Sequence, residues 1–314
     1  IPWVCSFLTD RLQCVRYKNS LSEFSLLKGD LPQGTKFGPL GFLAKFNGAV
    51  RNGCHANSKI LSLKYVDDMT IVENCASNQP AVIQSVLDDF SEWAVTNNMK
   101  VNPDKCFSMN VCFMKNQPQF SPLQILDTDL QVVDCMKILG VFVSSDLKWD
   151  KHIHHIFRKA NSKMYVLKLL KKFDLPLSDL LTIYRGYIRP LTEYAAQAWN
   201  AGLTKAHVDK LESIQKRALK IILGFDYFDY EHALIKCNLD SLQCRRMNLC
   251  FDFARQLKNS NKFQDWLPQP RSHNVQYQLR NNNRLTKVLC RTKRYQNSPI
   301  PYFVDILNDN MPKL

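Results

Sequence analysis

Leu63-Lys64-Tyr65-Val66-Asp67-Asp68-Met69-Thr70-Ile71-Val72 places two apolar runs rich in β-branched and aromatic residues on either side of a pair of acids. That pattern predicts two strands joined by a tight turn, with both carboxylates at the tip. Adjacent carboxylates on a turn repel each other unless a cation joins them, so the arrangement suits divalent-metal binding better than it suits stability. Magnesium is the expected ion, because it takes oxygen ligands and shares its shell with substrate phosphates. A bare Asp-Asp pair is more commonly an ordinary turn, so the sequence around it has to decide.

About thirty residues upstream, Leu31-Pro32-Gln33-Gly34-Thr35-Lys36-Phe37-Gly38-Pro39-Leu40 reads as a loop fixed by two glycines and two prolines, in which a nucleotide or a strand could approach bare backbone. Downstream, Pro80 to Met99 carries Ile83, Val86, Leu87, Phe90 and Ala94 at helical spacing, with Asp88, Asp89 and Glu92 on the other face. This predicts an amphipathic helix opened by Pro80. From about His152 the pattern becomes helical throughout. Ile153, Ile156, Ala160, Met164 and Leu167 form one stripe, and a second helix is expected from a Thr204 cap to a Gly224 stop. A shorter helix is expected over Asp179 to Ile188, ended by Pro190, and another over Ser241 to Leu257. Lys258 to Ser298, rich in Asn, Gln, Lys and Arg, reads as loop.

The net charge of +14 is unevenly placed. Residues 1–150 hold 14 basic against 15 acidic side chains, and residues 151–314 hold 28 against 13, so the whole excess sits in the second half. A polyanion-binding surface produces that asymmetry, and so does a basic face kept for solubility. The eleven cysteines include no CxxC pair, which argues against a zinc ribbon or a disulfide framework. His152, His154 and His155 on the start of a basic helix read as a solvated or capping cluster rather than a metal site. No run of about 18 apolar residues and no signal-peptide pattern is visible. The expected setting is therefore intracellular, nuclear or cytoplasmic, with no membrane partner.

Taken in order, LPQGTKFGPL (31–40), KYVDD (64–68), the helix with Trp93 and Asn98 leading into Val101-Asn102-Pro103-Asp104-Lys105, and Ile138-Leu139-Gly140-Val141 resemble motifs B, C, D and E of reverse transcriptases. Tyr184 to Pro190, Glu193-Tyr194, Ala198-Trp199, Ile214 to Ala218 and Ser298 to Phe303 resemble the region that follows the polymerase in non-LTR, LINE-type retrotransposons. The resemblance implies an α+β fold with a partial right-hand polymerase palm at 1–150, a thumb-like basic helical bundle at 151–230 and a C-terminal helical and loop region at 231–314. It implies RNA-directed DNA polymerisation by two magnesium ions, with an RNA template, a DNA primer or target and dNTPs as partners. Asp67 and Asp68 would be the metal ligands. Gln33, Gly34, Tyr65 and Lys105 would contact template or nucleotide, and Leu139-Gly140 would form the primer grip.

Two departures bear on competence. Trp3 to Val15 resembles the segment after motif A, so the third catalytic carboxylate is expected upstream of residue 1, and the chain alone is expected not to polymerise. Within motif B, Phe37 and Gly41 stand where aliphatic residues are usual, and Gly48 follows Asn47 where an acid is usual. The alternative reading is a noncatalytic nucleic-acid-binding remnant of such an element.

Overall fold

The apolar periodicities of the two halves bury into separate cores. The computed structural model describes residues 2–27, 34–50, 59–75, 81–116, 118, 120–271 and 284–309. Gln33 and Pro80 lie outside these described residues. The chain is mixed α and β, in two compact units: Ile1–Ser108 with Pro118–Val132, and Met109–Gln117 with Val133–Leu314.

In the first unit the expected hairpin forms. Lys59–Tyr65 pairs antiparallel with Asp68–Asn74 over seven residue pairs, from Lys59 opposite Asn74 to Tyr65 opposite Asp68. Strand alternation turns Ile60, Ser62 and Lys64 to one face and Leu61, Leu63 and Tyr65 to the other. On the inner face, Met69 and Ile71 pack with Phe46, Leu87, Phe90 and Trp93, which come from the helices Phe37–Phe46 and Ile83–Thr96. Glu73 closes the arrangement: its carboxylate accepts the N–H groups of Val82 (2.9 Å) and Ile83 (2.9 Å), satisfying the exposed donors at the start of the second helix. That helix therefore begins three residues after Pro80, where a strand carboxylate receives it.

Of the loop expected at 31–40, residues 31–33 lie outside the described residues and residues 37–40 are helix. Phe37-Gly38-Pro39-Leu40 opens the Phe37–Phe46 helix. Pro39 is tolerated there because the first helical turn has no intrahelical use for its N–H.

In the second unit, one core gathers Ile153, Ile156, Ala160, Met164 and Leu167 of the Asp150–Lys172 helix with Leu211, Ile214, Ala218 and Ile222 of the Lys205–Leu223 helix. Thr204 caps the latter as expected: its hydroxyl accepts the His207 N–H at 3.2 Å, and His207 Nδ1 accepts the Thr204 N–H in return. The chain does not stop at Pro190. Leu177–Ile183 widens into a π-type turn over Tyr184–Ile188 and continues as Arg189–Glu193. The wider turn spares the proline ring the clash that an α-helical carbonyl would impose.

Polar groups inside this unit are tied to backbone. Glu212 accepts the N–H groups of Leu242 (3.0 Å) and Gln243 (3.2 Å) at the head of the Leu242–Asn259 helix, and Tyr230 donates its hydroxyl to the same carboxylate. The fully buried Gln215 donates to the Asp240 carbonyl at 2.8 Å and accepts from the Tyr184 hydroxyl. A second core in this unit joins Cys250, Ala254 and Leu257 to Phe303, Val304 and Ile306 of the Pro299–Asn308 helix. The segment expected to be loop contributes Leu267 and Leu285 to it. The Asn308 side-chain amide brackets Leu285 in the manner of a strand partner, at 2.8 and 3.0 Å. Arg294 lies 3.5 Å over the Phe113 ring, attaching the 109–117 excursion to this unit.

His152 is neither solvated nor a cap. It is 2% exposed, its Nδ1 accepts the Phe142 N–H at 3.3 Å, and its ring meets Trp149 and Trp199 edge to face. Burial, assisted by the charge of His155, pushes its pKa down to about 4 from 6.5. The unfolded chain thus binds this proton more readily than the folded one. The associated stability is complete above pH 6.5 and is lost as pH falls from 6.5 towards 4. Urea denaturation across that window should show a decline of about 3 kcal/mol attributable to this residue. The same decline measured in His152→Leu would show that the imidazole is not its source.

Candidate active site

The hairpin turn is two residues long, Val66-Asp67, closed by the Tyr65–Asp68 pair. Val66 sits at φ +55°, in the left-handed region, while Asp67 is absent from the positive-φ residues. Positive φ at the first turn position alone is the pattern of the hairpin turn that normally takes glycine there. A β-branched residue held in that conformation costs roughly 1–3 kcal/mol, the kind of strain that persists where the backbone path matters more than local stability. The consequence is geometric. Asp67 is on the turn and Asp68 on the first residue of the outgoing strand, and both side chains are exposed at the same tip with Tyr65 beside them. Among the described residues neither carboxylate has an ion-pair partner.

Lys64 holds the tip to its support, a role the sequence did not suggest. Its ammonium donates to the carbonyls of Asn47 (2.9 Å) and Val50 (2.7 Å), just past the end of the Phe37–Phe46 helix, and lies 5.8 Å over the Phe46 ring. A cation at a helix C-terminus satisfies carbonyls that have no intrahelical partner. Partial burial there lowers the Lys64 pKa. The motif that carries the acids is thereby bound to the helix that follows Gly34. Gly34 itself has φ +78°, which glycine adopts without strain, and the Thr35 hydroxyl accepts the Gly38 N–H at 3.1 Å to start the helix.

The other expected site residues fall as follows. Lys105 is exposed in the short Pro103–Lys105 turn of the first unit, where the Asn102 side chain accepts the Asp104 N–H at 3.1 Å. It makes no ion pair with the acids among the described residues. Leu139-Gly140 is the two-residue turn between the strands Cys135–Ile138 and Val141–Ser144 of the second unit, with φ +45° and +88°. Tyr194 fixes that turn: its hydroxyl donates to the Leu139 carbonyl at 2.7 Å, and its ring would lie 3.1 Å from a Cβ placed on Gly140. Among the described residues no group of three or more His, Cys, Asp or Glu side chains gathers in a way that could hold a metal. Two adjacent, exposed carboxylates do supply hard oxygen donors of the type magnesium takes, and magnesium is commonly held by one or two carboxylates with water and phosphate completing its shell.

On the second unit, Arg158, Lys159 and Lys172 of the Asp150–Lys172 helix and Lys205, Lys216, Arg217 and Lys220 of the Lys205–Leu223 helix are exposed. Lys163, Lys171 and Lys210 are half-buried instead. Lys163 lies 3.5 Å over the Tyr187 ring, and Lys210 lies 5.1 Å over Phe157.

Residues 1–143 match the family described as reverse transcriptase (RNA-dependent DNA polymerase). The chain is 25% identical over 292 residues to a probable RNA-directed DNA polymerase from transposon X-element of Drosophila melanogaster, covering 92% of this chain and 30% of the relative. It is 26% identical over 233 residues to the corresponding protein of transposon BS from Drosophila melanogaster, covering 71% and 25%. It is 27% identical over 232 residues to the RNA-directed DNA polymerase from mobile element jockey of Drosophila funebris, again covering 71% and 25%. The chain thus spans less than a third of the length of these relatives. No solved structure matches it.

The turn geometry sets a direct expectation. Val66→Gly should raise the stability of the chain by about 1 kcal/mol in thermal denaturation, since relief of left-handed strain exceeds the entropic cost of glycine. A loss of stability instead would mean that Val66 is not strained in the folded protein.

Proposed function

We propose, on the premise that residues 1–143 belong to the reverse-transcriptase family, that this chain is the palm-to-C-terminus portion of a non-LTR, LINE-type RNA-directed DNA polymerase. In this reading residues 1–150 are a partial palm, 151–230 a thumb-like basic bundle and 231–314 a C-terminal helical region. The observation that carries it is the exposed Asp67–Asp68 pair on a strained two-residue hairpin tip, clamped through Lys64 to the helix after Gly34.

Asp67 and Asp68 would hold magnesium. When bound there, the metal would activate the primer hydroxyl and take up charge on the leaving pyrophosphate. The chain's own residues supply position. Val66 fixes the direction in which the two carboxylates leave the turn, and Tyr65, 63% exposed beside them, offers a ring face to the primer end. Gln33 and Gly34 would line the nucleotide and template pocket, Lys105 would neutralise nucleotide phosphates, and Leu139-Gly140 would grip the primer. The basic faces of the second unit would hold the template–primer duplex through its phosphates. RNA template, DNA primer or target and dNTPs are the corresponding partners.

A palm of this family uses a third carboxylate on a strand beside the hairpin. Among the described residues the hairpin strands pair only with each other, and their outer face leaves Leu61, Leu63 and Val72 about half exposed. That apolar face suits a covering helix or sheet, while a strand carrying the third acid would add at an edge of the hairpin. A second reading, noncatalytic nucleic-acid binding, is favoured by the basic helix faces of the second unit, since among the described residues no group of three or more His, Cys, Asp or Glu side chains gathers to hold a metal.

Primer extension separates the two. The purified chain with magnesium, an RNA template and a DNA primer should incorporate no dNTP. Fusion of the relatives' upstream segment should give magnesium-dependent incorporation, which Asp67→Asn lowers by more than about a hundredfold because the reacting atoms lose their alignment. Extension that survives Asp67→Asn would overturn the polymerase reading. A fusion that binds template–primer with unaltered salt dependence yet never extends it would establish the second reading.

A further inference from the structure

At the far end of the Lys205–Leu223 helix the chain turns sharply at Gly224, φ +59°, into Phe225-Asp226-Tyr227-Phe228-Asp229. The turn is well tied. Tyr227 N–H donates to the Gly224 carbonyl at 3.3 Å, Asp229 caps the Tyr230–Cys237 helix by accepting the His232 N–H at 2.7 Å, and Lys236 pairs with Asp226 at 2.8 Å. Tyr227 and Tyr230 fold back against the core. Phe225 and Phe228 do the opposite: Phe225 is fully exposed and Phe228 is 83% exposed. Ile235, 81% exposed one turn beyond His232, extends the same surface, and Phe228 meets the His232 ring at 6.4 Å. Isolated exposed apolar residues are ordinary, but two phenyl rings held outward by an ordered turn are not what burial alone would select.

Lysines lie on the neighbouring residues of the turn. Lys220 lies over Tyr227 at 5.3 Å, Lys216 lies over Tyr230 at 5.0 Å, and Lys171 is near enough to help depress the Asp226 carboxyl. Lys172 and the 69% exposed Phe173 follow Lys171 at the end of their helix. Of the acids nearby, Asp226 is engaged by Lys236 and Asp229 by the helix cap, which leaves Glu231, and Asp174 next to Phe173, facing solvent. Exposed aromatic faces with lysines close by are the chemistry that holds unpaired bases, since stacking is tolerant of sequence and the lysines can follow the phosphates.

We propose that the Phe225–Phe228 turn is a base-stacking platform that binds an unpaired stretch of nucleic-acid strand. The proposal rests on the reading of this chain as a nucleic-acid-handling protein, and adds a single-strand site distinct from the duplex-holding helix faces. The test uses the whole chain, a labelled single-stranded RNA of about 12 nucleotides, within the span such platforms cover, and an RNA–DNA duplex with no overhang. The double variant Phe225→Ala/Phe228→Ala should weaken single-strand binding about tenfold or more. It should leave the salt slope, the duplex affinity and the thermal denaturation midpoint unchanged, because the lysines and the core are untouched. Phe225→Trp/Phe228→Trp should retain the affinity. Unchanged single-strand binding in the alanine variant would overturn this proposal alone, as would self-association of the wild-type chain, seen in sedimentation, that the alanine variant abolishes. Failure of the wild-type chain to bind either nucleic acid would overturn the function reading together with it.

Discussion

Two like charges on consecutive residues are the constraint around which the first unit is arranged. Asp67 and Asp68 cannot be buried, because desolvation and mutual repulsion would both favour protonation. Nor can they be left on a mobile loop if they are to act together on one ion. The hairpin resolves this by placing the carboxylates in solvent and fixing the backbone beneath them. The strain at Val66, the seven-pair register and the Lys64 clamp all serve that purpose. Glu73, five residues past the pair, then uses the outgoing strand to receive the next helix, so the strand that bears one acid also orders the Ile83–Thr96 helix.

The second unit solves a different problem. Long helices with basic outer faces repel one another, and their cohesion comes from the apolar stripes together with polar groups that bind backbone across elements. Glu212 on one helix satisfies the first N–H groups of another, and Gln215 reaches the carbonyl just before it. Arg245 pairs with Glu193 in the two-pronged way at 2.5 and 3.2 Å, while its neighbour Arg246 is buried against Trp199 and, among the described residues, hydrogen-bonded through its Nε alone, to Asn200. Such contacts depend on direction, which apolar packing does not supply, and they fix the order of helices that otherwise share interchangeable Leu and Ile stripes. The unit's many exposed lysines can therefore belong to a rigid surface.

Much of this was legible from residue spacing. The Asp-pair hairpin followed from alternation, the Thr204-to-Gly224 helix from its cap and its stop, and the Ile83 to Ala94 stripe from its period. What escaped was set by contacts distant in sequence. Nothing near Pro80 announces that Glu73 begins the helix, and nothing in KYVDD marks Lys64 as a clamp. Val66 gave no sign of left-handed geometry, since valine is among the residues least suited to it. His152 could have been found: it lies four residues before Ile156 and eight before Ala160, on the buried stripe, but its company with His154 and His155 suggested solvent. Pro190 misled for the opposite reason, since a local rule about proline was overridden by a π-type turn that only packing can stabilise.

On the proposed reading, the division of charge along the chain follows from a separation of tasks. A site that gathers metal and triphosphate gains nothing from a broad basic field, because surplus lysines would compete with the metal for its carboxylates and with the nucleotide for its place. Residues 1–150 accordingly balance acids and bases, and among the described side chains Lys64 is committed to helix carbonyls and Lys45 to the Asn97 carbonyl at 2.8 Å. A surface that holds a long polyanion needs the reverse, many cations each neutralising one phosphate, and affinity then scales with their number rather than with the placement of any one. On that reading the excess charge of the second half would be spread over helix faces, where Arg158, Lys159, Lys172, Lys205, Lys216, Arg217 and Lys220 are exposed.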